Sequence, residues 1–190
     1  MSKSDVSKDA SNNTKTLIGK GGPIAGSLIS ILGSLLILIG FVLPWASCSG
    51  QTISGLNLAS QGSDLTGESS TFFLYLVPFF AVGVLGVAIL VIPATLWKKL
   101  PPMIKTIGTL LVCLLAVFAC CPASVFFYRM QSAVSDSSMY GTSFVRVDYG
   151  FYISLFGIVI AFLGGLIALG TSVVDLMMSR KKPPEIPAKK

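Results

Sequence analysis

Polar and apolar positions along this chain segregate into long blocks. Four stretches, 24–43, 71–97, 106–128 and 149–174, contain no Asp, Glu, Lys, Arg, Asn or Gln. A helix rises about 1.5 Å per residue, so about 20 such residues cross a hydrocarbon core of about 30 Å. Open strands would leave backbone groups unpaired in lipid, which leaves helix as the reading. The pattern predicts an all-α integral membrane protein. Its four-helix bundle has spans at about 24–43, 72–97, 106–128 and 150–174. This membrane domain covers 23–178, between a polar tail at 1–22 and a basic, Pro-rich tail at 179–190. Loops at 44–70 and 129–148 lie on one side.

The loops carry a finer pattern. Val145, Val147 and Tyr149 alternate with Phe144, Arg146 and Asp148, a strand-like period of two. In the first loop Ile53, Leu56 and Leu58 are spaced to pack together, and Gly50, Gly55, Gly62 and Gly67 supply turns. Both loops then contribute to a small β hairpin or sheet, with Arg146 pairing to Asp148, Asp64 or Glu68. The alternative is solvated loop. Residues 1–16 are rich in Ser, Asn, Lys and Asp and read as disordered. Pro44 ends the first helix, and Pro78, Pro93 and Pro122 kink or end turns.

Composition strengthens the membrane assignment. The chain is 53% hydrophobic and 12% charged, against roughly 25% charged in soluble domains. Charge then sets orientation. Lys3, Lys8, Lys15 and Lys20 precede the first span, Lys98, Lys99 and Lys105 join the second to the third, and Arg180, Lys181, Lys182, Lys189 and Lys190 follow the fourth. The opposite side holds Arg129 and Arg146. The positive-inside rule places both termini in the cytoplasm and the two loops outside. Trp45, Tyr128, Tyr149 and Tyr152 fall at the outer aromatic belt and Trp97 at the inner one. The net charge of +6 serves this topology rather than nucleic acid.

In lipid, helices associate through small residues. Gly26, Ser30 and Ser34 recur every four residues in the first span, as do Gly157, Ala161 and Gly165, and Gly164 and Ala168, in the fourth. Gly83 and Gly86 extend the pattern to the second. These faces are expected to meet.

Candidate chemistry is sparse. His is absent, which removes the usual acid/base side chain and the commonest metal ligand. No span contains an ionisable side chain of the kind that pumps and proton relays need. Asp175 sits at the inner end of the last helix, near Lys181. Cys113, Cys120 and Cys121 read as small packing residues, with a vicinal Cys120–Cys121 redox pair as the sharper alternative. The chain reads as a non-enzyme with no cofactor or metal. The aromatic run 72–80 can touch a lipid, quinone or pigment, but no ligand residue supports one.

"LPWASCSG", residues 43–50, admits three readings. Cys48 follows small residues as in a lipoprotein signal, yet the apolar run exceeds the about 7–15 residues of a signal core. Alternatively, Trp45 and Cys48 resemble the start of the W…C…C signature of claudin-type tetraspans, which implies four helices and cytoplasmic termini; the second loop cysteine of that signature is missing. Lastly, Trp45 is an interfacial anchor and Cys48 a small loop residue, free or paired between chains. "PWASCSGQTISGLNLAS" and "YGFYISLFG" also resemble segments of small, uncharacterised bacterial multi-span proteins, which implies a plasma (inner) membrane.

The function expected from these residues is an accessory or scaffold subunit of a larger bacterial membrane complex. Its partners are the bilayer and other membrane subunits, or further copies of itself. Contact candidates are the helix seams and, in the outer loops, Trp45, Cys48, Arg146 and Asp148. A small transport or permeability protein, and a sensor with ligand-reading loops, are the competing expectations.

Overall fold

The computed structural model describes residues 3–48, 50–66, 73–96, 101–140 and 145–180. The elements run α1 (Lys3–Val42), β1 (Pro44–Cys48), β2 (Gln51–Ser54), α2 (Gly55–Thr66), α3 (Leu76–Leu96), α4 (Pro102–Tyr140), β3 (Val145–Val147) and α5 (Tyr149–Arg180). Among the described residues, four stretches are long and apolar enough to cross a membrane: Gly21–Val42, Phe73–Leu96, Met103–Arg129 and Tyr149–Met178. They match the expected spans to within four residues and mark a multi-pass membrane protein.

The helices form a ring. α3 and α5 each pack on both α1 and α4. The buried positions of α3, Val77, Ala81, Val84, Ala88 and Val91, step by four and three residues. Val112, Ala116, Ala119, Ala123 and Phe126 do the same on α4. A mean step of about 3.5 residues falls short of the helical 3.6, so the stripe stays on its neighbour only if the helices wrap left-handed. The opposite faces, such as Phe79, Val82 and Ile89 on α3 and Phe156, Val159 and Leu163 on α5, are exposed, as lipid contact requires.

Local chemistry explains the ends. The Leu43 amide donates to the Ile39 carbonyl at 3.3 Å as the last turn of α1 closes. Pro44 then forces the residue before it out of helical geometry, and the chain leaves as β1. α4 starts with proline at its first position, where the missing N–H has no intrahelical partner to lose.

The two loops do share a sheet. Its order is β2-β1-β3, all antiparallel. β1 and β2 form a hairpin in which Cys48 pairs with Gln51 and Gly50 takes φ +85°, a conformation open to glycine at little cost. β3 adds to the other edge of β1, pairing Ala46 with Val147, Ser47 with Arg146 and Cys48 with Val145.

Three expectations about the polar segments change. The tail expected to be disordered is helical from Lys3, because a helix nucleated in the membrane extends outward at one hydrogen bond per residue without repaying nucleation. The second loop, expected from 129, begins later, since α4 runs on to Tyr140 by the same propagation. The first loop, expected to be turns and hairpin, contains α2 after the hairpin, with Leu58 and Ala59 buried. Pro93 and Pro122 stand inside α3 and α4, and Pro78 lies in the first turn of α3.

Candidate functional site

The closest helix contact joins the first span to the last. Gly26, Gly33 and Gly40 recur every seven residues on α1, and Gly150, Gly157 and Gly164 every seven on α5. The helices are antiparallel, and these residues interlock. A Cβ on Gly26 would lie 2.5 Å from the Ala168 amide nitrogen, and one on Gly164 would lie 2.6 Å from the Ser30 nitrogen. One on Gly157 would lie 2.7 Å from the Gly33 carbonyl oxygen. Gly33 meets Ala161 and Gly40 meets Ser154 in the same way. Backbone therefore touches backbone along the whole pair. Two side chains bond across it: Ser30 Oγ donates to the Ala161 carbonyl at 3.0 Å and Ser154 Oγ to that of Ile37 at 3.4 Å. Such bonds average about 0.6 kcal/mol in a membrane bundle, so close packing dominates the contact.

The expected packing set is thus partly redistributed. Gly26, Ser30, Gly157, Ala161, Gly164 and Ala168 lie in the α1–α5 seam. Ser34 is buried but donates back to the Ser30 carbonyl at 2.8 Å within its own helix. Gly165 turns toward α4, where a Cβ would lie 2.9 Å from Cys113 Sγ. Gly86, expected on a contact face, is exposed with open space where its Cβ would be. A four-residue spacing misses Gly33, Gly40, Gly150 and Ser154. The signal for them is the shared seven-residue repeat, which is the antiparallel left-handed pattern.

At the loop end the seam passes into an aromatic cap. Trp45 was expected at the membrane interface, yet its exposure is 0%. Its ring meets Phe41, Phe126 and Phe151 at centroid distances of 5.3, 5.3 and 5.4 Å. Its Nε1 donates to the Gly40 carbonyl at 2.8 Å. Gly55, opening α2, sits so close that a Cβ would lie 2.8 Å from the indole. Because β1 leaves α1 directly over the bundle mouth, its second residue points into the core rather than into the headgroups.

Asp148 and Arg146 flank this cap without pairing. Arg146 is exposed. The Asp148 amide donates to the Trp45 carbonyl at 2.9 Å, and its own carbonyl accepts from Phe151 at 3.2 Å. Its Oδ2 is buried and has no hydrogen-bond partner. Asp148 precedes the first residue of α5, where the partial positive charge of the helix N-terminus favours a carboxylate. That supplies the electrostatic reason it can remain beside the cap. Glu68, the side chain of Asp64 (the other expected partners of Arg146) and the side chain of Cys48 lie outside what the structure describes.

The remaining thiols separate. Cys113 is buried against Gly165, Cys120 is half-buried and Cys121 is exposed; all three are free. The packing reading therefore applies to Cys113 and to Cys120, which packs against the core, whereas Cys121 faces outward from the bundle. The aromatic run 72–80, which reads as lipid-facing or as filler between helices, serves as both: Leu74 and Val77 are buried, Phe79 is exposed, and Phe80 stacks on Phe118 at 5.9 Å. Comparison with protein-family models, with curated proteins and with solved structures finds no match to this chain.

Proposed function

We propose that this chain is a non-catalytic scaffold or accessory subunit of a larger bacterial membrane assembly. In this reading it lies in the plasma membrane with both termini in the cytoplasm. The observation that supports it best is the close α1–α5 seam with the aromatic cap at its loop end. At its glycines the α1–α5 seam leaves no room for a Cβ, and Trp45, Phe126 and Phe151 pack together at its loop end. A path for solute between α1 and α5 would have to displace packed backbone, and one at the loop end would have to displace the Trp45 cap, which weighs against the permeability alternative. What remains for interaction is the outside: apolar helix faces and the sheet-bearing loops. The absence of His and the cytoplasmic placement of most lysines belong to the same proposal. The likeness to claudin-type tetraspans and to small bacterial multi-span proteins enters here on topology, Trp45 and Cys48 alone, and transfers no barrier or pore activity.

Native purification in mild detergent, with mass-spectrometric identification of co-purifying chains, tests the proposal. A complex well above the 20.0 kDa of one chain, containing defined other subunits, is the expected result. Purification as an isolated chain that makes liposomes permeable to small solutes would replace scaffold with transport.

A further inference from the structure

Pro44 ends α1 and leaves an acceptor behind. In an α-helix each carbonyl accepts from the amide four residues on. Leu43 still makes that bond, to the Ile39 carbonyl at 3.3 Å. The next one would join residue 44 to Gly40, and proline has no N–H to donate. Gly40 is buried in the seam, where a Cβ would meet Ser154. A buried carbonyl left without a donor is costly. The donor comes from the following residue: Trp45 Nε1 meets the Gly40 carbonyl at 2.8 Å.

The same residue ties the loop segment to the bundle. β1, β2 and α2 lie at the loop end, with Leu58 and Ala59 buried. Gly55, the first residue of α2, packs so closely that a Cβ would lie 2.8 Å from both the Phe41 carbonyl oxygen and the indole. The other side-chain hydrogen bonds described in this segment stay within it. Ser54 Oγ accepts from the Asn57 amide at 3.2 Å, and Ser60 Oγ donates to the Asn57 carbonyl at 3.1 Å. The indole is the polar side chain that reaches back into α1. The Trp45 carbonyl meanwhile accepts from the Asp148 amide at 2.9 Å, so one residue bonds both the end of the first span and the approach to α5.

We propose that Pro44 and Trp45 act as one strap. The proline vacates the Gly40 carbonyl and the indole takes it, which fastens β1, β2 and α2 over the mouth of the bundle. Without the proline, an amide at position 44 competes with the indole for that carbonyl. Without the indole, the carbonyl stays open and the segment loses its tie. Both losses act through the same bond, so their effects do not add.

Hydrogen–deuterium exchange read by mass spectrometry, on the full-length chain in lipid nanodiscs, tests the strap. Backbone exchange across β1, β2 and α2 should rise about tenfold in Pro44→Ala and about tenfold in Trp45→Phe. Unchanged exchange in α3 establishes that the bundle is folded. The double variant should also rise about tenfold, rather than the about hundredfold of two independent effects. A second measurement serves if Trp45→Phe does not fold. Trp97→Phe leaves Trp45 as the one tryptophan, and NMR then follows exchange of its indole N–H. Adding Pro44→Ala should speed that exchange about tenfold. An about hundredfold rise in the double variant, or parent-like indole exchange in Pro44→Ala, overturns the strap and leaves Pro44 a helix stop and Trp45 a core filler.

Discussion

An indole sealed inside a membrane bundle needs a partner for its N–H, and Trp45 finds one about a turn back, at the Gly40 carbonyl. The same residue fills the space between Phe41, Phe126 and Phe151. Its type and its position next to Pro44 were legible in the sequence. Its burial was not, because a Trp at a span end looks identical whether it points outward to headgroups or inward to a core. Trp45→Ala should lower stability by about 3–5 kcal/mol, the usual result of emptying an aromatic core site. Trp45→Phe, which keeps much of the volume and loses the hydrogen bond, should lose about 1 kcal/mol. Thermal unfolding in detergent, followed by circular dichroism, separates the two; a parent-like melt for the Ala variant would return Trp45 to the interface. Cys48 allows a second residue-scale prediction. The helix that precedes it is half of the α1–α5 seam, so its removal would expose the glycine face of α5. Intact-mass measurement should therefore show a chain that retains α1 and carries no diacylglycerol; a product beginning at Cys48 with added lipid mass would establish lipoprotein processing.

Among the elements, the span boundaries were the most readable feature, because exclusion of charge from hydrocarbon is written residue by residue. The hairpin of β1 and β2 and the contribution of β3 were visible as alternation and glycine spacing. The reach of α1 and α4 beyond the membrane was not, since polar residues with modest helix propensity follow a neighbouring helix that their own sequence does not reveal. Seam assignments were half readable. Small residues identify a contact, but two helices must be superposed before their shared period appears. The glycines therefore make a graded series. Gly164→Leu should separate α5 from α1, and Gly165→Leu should separate it from α4, each causing loss of the folded bundle on size-exclusion chromatography. Gly86→Leu and Gly170→Leu, where nothing lies within 4 Å of a built Cβ, should elute like the parent. Changing Cys113, Cys120 and Cys121 together to Ala should leave the bundle assembled, with a modest loss arising at Cys113, the buried one. Equal damage from Gly86→Leu would remove the distinction between seam and lipid face.

For the whole molecule, the antiparallel ring places the start of α1 and the end of α5 at one end and the sheet at the other. The asymmetry of lysine and arginine then predicts the side. Reporter fusions at Ser60 and Ser137 should read as external, and a fusion at Lys190 as cytoplasmic; a cytoplasmic signal at Ser60 would invert or dismantle this orientation. The α1–α5 contact sets a further condition on the entire chain. Its register continues from helix into sheet: Gly26 with Ala168, Gly33 with Ala161, Pro44 with Gly150, then Ala46 with Val147. The first and last spans are thus joined lengthwise, yet Ser30 and its acceptor at Ala161 are 131 residues apart in the chain. At a synthesis rate of about 5–20 residues per second, α1 waits roughly 7–26 s for α5 to emerge. Its glycine face stands against lipid throughout, while α3 and α4, joined by a short link, are already free to pair. The bundle consequently closes last along its tightest contact, and a nascent chain stalled before α5 presents that open glycine groove as the mark of an unfinished protein.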